Sequence, residues 1–167
     1  PIEKTDFQEV RFDFIVLRHV FEHLSAPVEC LKKIRTILAP GGVLYIEVPD
    51  SLNTSPTVSR FYHHEHLLYF TPKVLNSYLI SNGFNPLVCE RFEENPAGSG
   101  FSYPVIRSVS TAAEPRVVSV PAGYAKDVYQ KNKVQLDSYL DALLSPVRTR
   151  LRQLSETKRR IGIFGAV

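Results

Sequence analysis

Two apolar runs bracketing a segment of helical spacing constrain this chain more than anything else in it. Residues 12–20, rich in Phe, Ile and Val, read as a strand covered on both faces. Ser25 is placed to cap a helix with Pro27 in its first turn. Val28, Leu31, Ile34, Ile37 and Leu38 then recur at helical spacing, and Ala39-Pro-Gly-Gly42 ends the run. Val43–Val48 reads as a second buried strand. Strand, helix and strand joined this closely form a right-handed βαβ unit of an open parallel sheet, so the fold class is α/β. Such sheets hold ligands at the carboxyl ends of their strands, and here the first strand runs into the polar residues Arg18, His19, Glu22 and His23.

Downstream, residues 49–60 form a polar loop at that same end. Thr71 followed by Pro72 is a strong helix start; Val74, Leu75, Tyr78 and Leu79 give the inner face, and Asn82-Gly83 ends it. Leu87–Phe92 and Tyr103–Ser110 read as an antiparallel edge pair. Residues 111–121, with two prolines, mark a boundary. From Tyr124 to about Arg160 the pattern is helical, with Leu136, Leu140, Leu143, Val147, Leu151 and Leu154 as a stripe suited to packing on a neighbouring domain. Pro146 kinks one helix or starts a second capped by Ser145.

With 44% hydrophobic and 22% charged residues, the chain can bury a core. A net charge of +3 gives no reason to expect nucleic acid, and the basic residues near the end of the long helix read as a solvated helix end. Cys30 and Cys89 sit in apolar patterns as buried thiols rather than a disulfide. Without an 18-residue apolar run or a signal-peptide pattern, the protein is expected to be soluble and cytoplasmic, with no membrane partner. The chain has no Met and starts in what reads as a mid-domain loop, and Ile161–Val167 reads as a strand entering a glycine turn. The expected organisation is therefore a piece of a longer protein: 1–110 part of one α/β domain, 111–160 linker and helical connector, and 161–167 the first strand of something further.

All five histidines fall in two clusters, His19 with His23, and His63, His64 and His66. The topology brings the two together, one after each parallel strand. In Tyr62-His-His-Glu-His-Leu-Leu-Tyr-Phe-Thr71, histidine beside glutamate suits proton transfer near neutral pH. Metal is the rival use. His19 and His23 have i, i+4 spacing, but that pairing needs a helix before Ser25, and adjacent histidines in extended chain point apart, so no metal is expected.

The stretch from Phe12-Asp13 through His19-Val20-Phe21-Glu22-His23-Leu24 to Leu38-Ala-Pro-Gly-Gly42 resembles the class I S-adenosylmethionine-dependent methyltransferases. The resemblance implies that 1–110 is the C-terminal half of a class I methyltransferase domain with a partial Rossmann-like sheet, that 161–167 is the first strand of a second, truncated Rossmann-like domain, that S-adenosylmethionine is the cofactor, and that Arg18, His19, Val20 and His23 line its methionine end. A plain bracing of the loop by His23 and Leu24 is the alternative for that pair. In that family the glycine-rich cofactor loop and the ribose-binding acidic residue come earlier in the order, so residues 1–167 alone are not expected to hold the cofactor tightly. The histidine segment resembles the Tyr-x-Glu-His-x-x-Tyr-Phe-Ser stretch of sugar C-methyltransferases, which methylate the carbon beside a keto group of a nucleotide-linked deoxysugar. The resemblance makes His66 the general base, Glu65 its neighbour and His63 the occupant of the family tyrosine position, with Tyr62 one residue early. The acceptor is then a small molecule such as a nucleotide sugar. An O- or N-methyltransferase of the same fold, or a non-catalytic binding module, stands as the alternative.

Overall fold

A computed structural model describes residues 5–7, 9–52, 65–94 and 103–156. Strand β1 (Phe12–Arg18) leads through a single 3-10 turn (Phe21–His23) to helix α1 (Pro27–Ile37) and strand β2 (Leu38–Pro49). Helix α2 (Pro72–Ser81), strands β3 (Phe84–Glu94) and β4 (Tyr103–Ala112), and helix α3 (Tyr124–Glu156) follow. The sheet runs β1-β2-β4-β3: β2 pairs parallel with β1, and β4 lies antiparallel between β2 and β3. The expected βαβ unit and antiparallel pair are both present, with β4 rather than β3 joining the pair to the rest of the sheet.

Helix α1 buries Cys30, Leu31, Ile34 and Ile37, the stripe its spacing dictates, and the first three pack in one core with Leu17, Leu44, Ile46 and Val48 of the sheet. Full burial of one such aliphatic side chain contributes about 1.5–3 kcal/mol. Helix α2 adds Leu75 and Leu79, and Phe21 and Phe70 stack at 5.5 Å beneath the turn after β1. Thr71 caps α2 through its hydroxyl, which accepts from the Val74 N–H at 3.2 Å, and Pro72 opens the first turn.

Three local expectations differ. The cap of α1 is Ala26 without a side-chain hydrogen bond, because Pro27 pushes the residue before it out of helical conformation and into the cap position that Ser25 was expected to fill. Strand β2 begins at Leu38, so the Pro-Gly-Gly turn sits inside the strand as an irregularity between the Phe12 and Phe14 pairings, with Gly41 at φ +76°. Strand β1 is covered on one face only: Ile15 and Leu17 face the core, whereas Phe14 is 58% and Val16 47% exposed. Of the two readings of Pro146, the structure has one helix, α3, continuing through it, with Leu140, Leu144, Val147 and Leu151 exposed. The strand expected over 161–167 lies outside the described residues.

Candidate functional site

The carboxyl end of β1 carries the polar centre of the molecule. Arg18 points its guanidinium at Glu47 of β2 (2.8 Å) and also pairs with Glu94 of β3. Glu47 accepts in addition from Arg107 (2.9 Å) and from the Tyr45 hydroxyl (2.6 Å). Burial would raise the Glu47 carboxyl, but the hydrogen bonds from Tyr45, Arg107 and Arg18 together hold it below the usual glutamate value. Burial and that same carboxylate push the Tyr45 phenol up to about 12.

His19 follows with φ +50°, a left-handed conformation that a non-glycine residue adopts only where its surroundings hold it. Its N–H donates to the Glu47 carbonyl (3.0 Å), while its ring lies 3.2 Å from Glu94 Oε2 and 3.4 Å from Glu22 Oε1. Val20 comes next, 41% exposed at the mouth of this turn.

Glu22 is 1% exposed, and neither of its carboxylate oxygens has a hydrogen-bond partner. His19 Nδ1 lies 3.4 Å and His23 Nε2 3.8 Å from its Oε1. Its main chain does separate work: the Glu22 carbonyl accepts from the N–H groups of Leu67 (2.9 Å) and Leu68 (3.0 Å), which clamps the residues just after His66 beside the turn. His23 completes the clamp by donating from Nδ1 to the Glu65 carbonyl at 2.8 Å. The His23 and His66 rings consequently meet edge to face, 4.8 Å between centroids, with Tyr69 6.3 Å beyond.

Of the two histidine clusters, His19, His23 and His66 lie among the described residues, and His23 and His66 meet. The carboxylate grouped with His66 is Glu22; Glu65 is exposed and presents its carbonyl to His23. His19 and His23 do not share a helix face either, since the chain makes a single 3-10 turn between them. His63 lies outside the described residues. Among the described residues, two trios could hold a metal ion: Glu22 with His23 and His66, and His19 with Glu47 and Glu94. Arg18 and Arg107 already neutralise the carboxylates of the second, whereas the first contains the carboxylate without a hydrogen bond. The spacing gave no sign of Tyr103, whose phenol burial and the nearby Glu22 charge push up to about 12, and whose ring lies 5.8 Å from His19.

The exposed Val20, the left-handed His19 and the Glu22 carboxylate without a hydrogen bond lie within five residues at a strand's carboxyl end. A methyltransferase-domain family model matches residues 2–89. No curated protein matches the chain. Solved structures do. An S-adenosylmethionine-dependent methyltransferase from Methanosarcina mazei is 16% identical with a TM-score of 0.53, covering 68% of this chain and 65% of its own. The glycopeptide N-methyltransferase MtfA, complexed with S-adenosylmethionine, is 13% identical with a TM-score of 0.50, covering 68% and 59%. A methyltransferase-like protein from Bacillus halodurans, 14% identical at a TM-score of 0.50, covers 70% of each chain. This chain thus spans under two thirds of the length of the first two. With the matched segment reaching from before β1 into β3, the chain belongs to the methyltransferase domain family, whose cofactor is S-adenosylmethionine.

Proposed function

We propose that the protein transfers the methyl group of S-adenosylmethionine to a small-molecule acceptor, at the carbon beside a keto group of a nucleotide-linked deoxysugar. The observation that carries the reading is the buried, unbonded Glu22 carboxylate grouped with His66 and His23 at the cofactor end of β1. Arg18, His19 and Val20 would hold the methionine end of the cofactor, which when bound supplies a methyl already activated on a sulfonium.

His66 is the base. An imidazole nitrogen would take the α-proton and leave the C–H electron pair in the enolate of the acceptor; the new C–C bond to the methyl would form as the bond from that methyl to the sulfonium sulfur breaks, leaving the neutral thioether S-adenosylhomocysteine. Glu22 supplies the counter-charge for the imidazolium, a role that the sequence pattern had suggested for Glu65. His23, fixed by its bond to the Glu65 carbonyl, keeps the His66 ring edge-on and so sets its direction. Heteroatom methylation would use the same cofactor contacts without any α-proton abstraction.

The test is solvent deuterium exchange into a nucleotide-linked keto-deoxyhexose by the full-length gene product, for the wild type and His66→Ala. Exchange present in the first and lost in the second supports the reading. Methyl transfer to an oxygen or nitrogen acceptor without exchange moves the assignment to heteroatom chemistry.

A further inference from the structure

Beside the histidine site lies a cavity of about 310 Å³, between the start of α2 and the first turns of α3. That volume is near the lower end for small-molecule pockets and suits one ring rather than a polymer. Tyr69, Tyr124 and Tyr129 line it, with Ser51, Thr71 and Asn132, and no charged side chain lines it among the described residues. Tyr69 belongs to both places, since its ring lies 6.3 Å from that of His66.

Most of the polar groups around the cavity are engaged. Ser51 donates its hydroxyl proton to the Phe70 carbonyl. The Thr71 hydroxyl accepts from the Val74 N–H and bonds the Tyr124 hydroxyl at 2.9 Å. Asn132 differs: the residue is 7% exposed, yet its Oδ1 has no hydrogen-bond partner. A buried amide acceptor left open in a tyrosine-lined cavity is a vacancy for a donor, and buried acceptors without one are rare. Aromatic faces with a neutral amide suit a ring that has apolar faces and hydroxyls at its edge, and they disfavour a phosphate or carboxylate.

We infer that this cavity is the acceptor-ring subsite, taking a neutral, hydroxyl-bearing ring of monosaccharide size that donates a hydrogen bond to Asn132 Oδ1. The inference rests on the methyl-transfer reading and deepens it, because Tyr69 sets such a ring next to His66.

The experiment is calorimetric titration of the full-length gene product with a nucleotide-linked keto-deoxyhexose and, separately, with S-adenosylhomocysteine. Asn132→Leu is expected to weaken sugar binding by about three- to tenfold, the value of one neutral hydrogen bond. It should leave S-adenosylhomocysteine affinity unchanged and the melting temperature equal or higher, because no bond within the protein is lost. Tyr129→Ala, at a 61% exposed position, should weaken the sugar without unfolding the protein. Sugar affinity unchanged in both variants overturns the subsite while leaving methyl transfer intact. A fall in melting temperature for Asn132→Leu together with weaker S-adenosylhomocysteine binding also overturns it, by making Asn132 structural. Failure of the wild type to bind S-adenosylhomocysteine refutes the methyl-transfer reading alone; the Asn132 side-chain amide resonance, shifted by the sugar, then still supports the subsite. A shift produced by adenine and not by the sugar would overturn the ring class.

Discussion

Glu22 should be a residue the fold would be more stable without. Its carboxylate is withdrawn from water at 1% exposure and receives no hydrogen bond; the imidazole nitrogens at 3.4 and 3.8 Å help only when they carry protons. A buried polar group without its hydrogen bonds costs about 1–3 kcal/mol, and more if charged. Glu22→Gln keeps the shape and removes the charge, and its amide can donate to a neutral imidazole. The variant is expected to gain about 1–2 kcal/mol. For a chain of this size that raises the melting temperature by roughly 2–8 °C. Thermal unfolding followed by circular dichroism is the assay, with proton exchange from the acceptor measured beside it. Higher stability with lost exchange is the expected pair, the usual trade between a strained site and a relaxed fold. A less stable variant would show that the carboxylate is satisfied in the folded protein, and the argument for Glu22 as a buried carboxylate without a partner would fail.

Three further outcomes are expected. Glu47→Gln should lower stability by about 1–2 kcal/mol at pH 7, a modest value because Arg18 is 55% exposed and its pairing is screened. As the folded carboxyl sits below its ordinary value, its contribution is complete above that value and lost as pH falls through the folded one; denaturant titrations at pH 7 and pH 3 should therefore show the penalty shrinking on acidification. Gly83→Ala places a Cβ 2.6 Å from Arg35 Nη1 at a φ of +83°, so a loss of about 1–2 kcal/mol is expected by thermal unfolding. Chelation with EDTA should leave methyl transfer unchanged; loss restored by zinc alone would reassign Glu22, His23 and His66 as metal ligands.

The parts of the fold that rest on local chemistry were legible in the sequence. The 3.6-residue stripe of α1 and the Thr71-Pro72 start of α2 are each decided within a few residues, and the structure keeps both. The errors lie where one local signal overrode another: Pro27 moved the cap from Ser25 to Ala26, and the glycine turn was absorbed into β2 because Leu38 already pairs with Phe12. That both faces of β1 were expected to be covered follows from reading an apolar run as evidence of what lies above it. The site shows the same division. The approach of His23 and His66 followed from strand order, but the place of Glu22 beside them depends on the Glu22 carbonyl clamping Leu67 and Leu68, a backbone contact that no spacing displays. Asn132 was invisible for a related reason, since a single amide in a long polar helix acquires meaning only once α3 is seen against α2.

The position of β4 has a consequence for how the chain reaches its fold. Its partner β2 is made early, yet Val43 waits for Thr111, and the register closes backwards to Pro49 against Val105. During synthesis β1, α1 and β2 can form a local unit, but the free side of β2 stays open until the chain has passed Ala112. Pairing across so long a loop is slow, and it is the kind of contact that nascent chains form with the wrong partner at moderate concentration. Among the described strands, the last one made is thus the keystone of the sheet. A stall between α2 and β4 would leave α1 and α2 with an unclosed β2 edge, a natural substrate for chaperones.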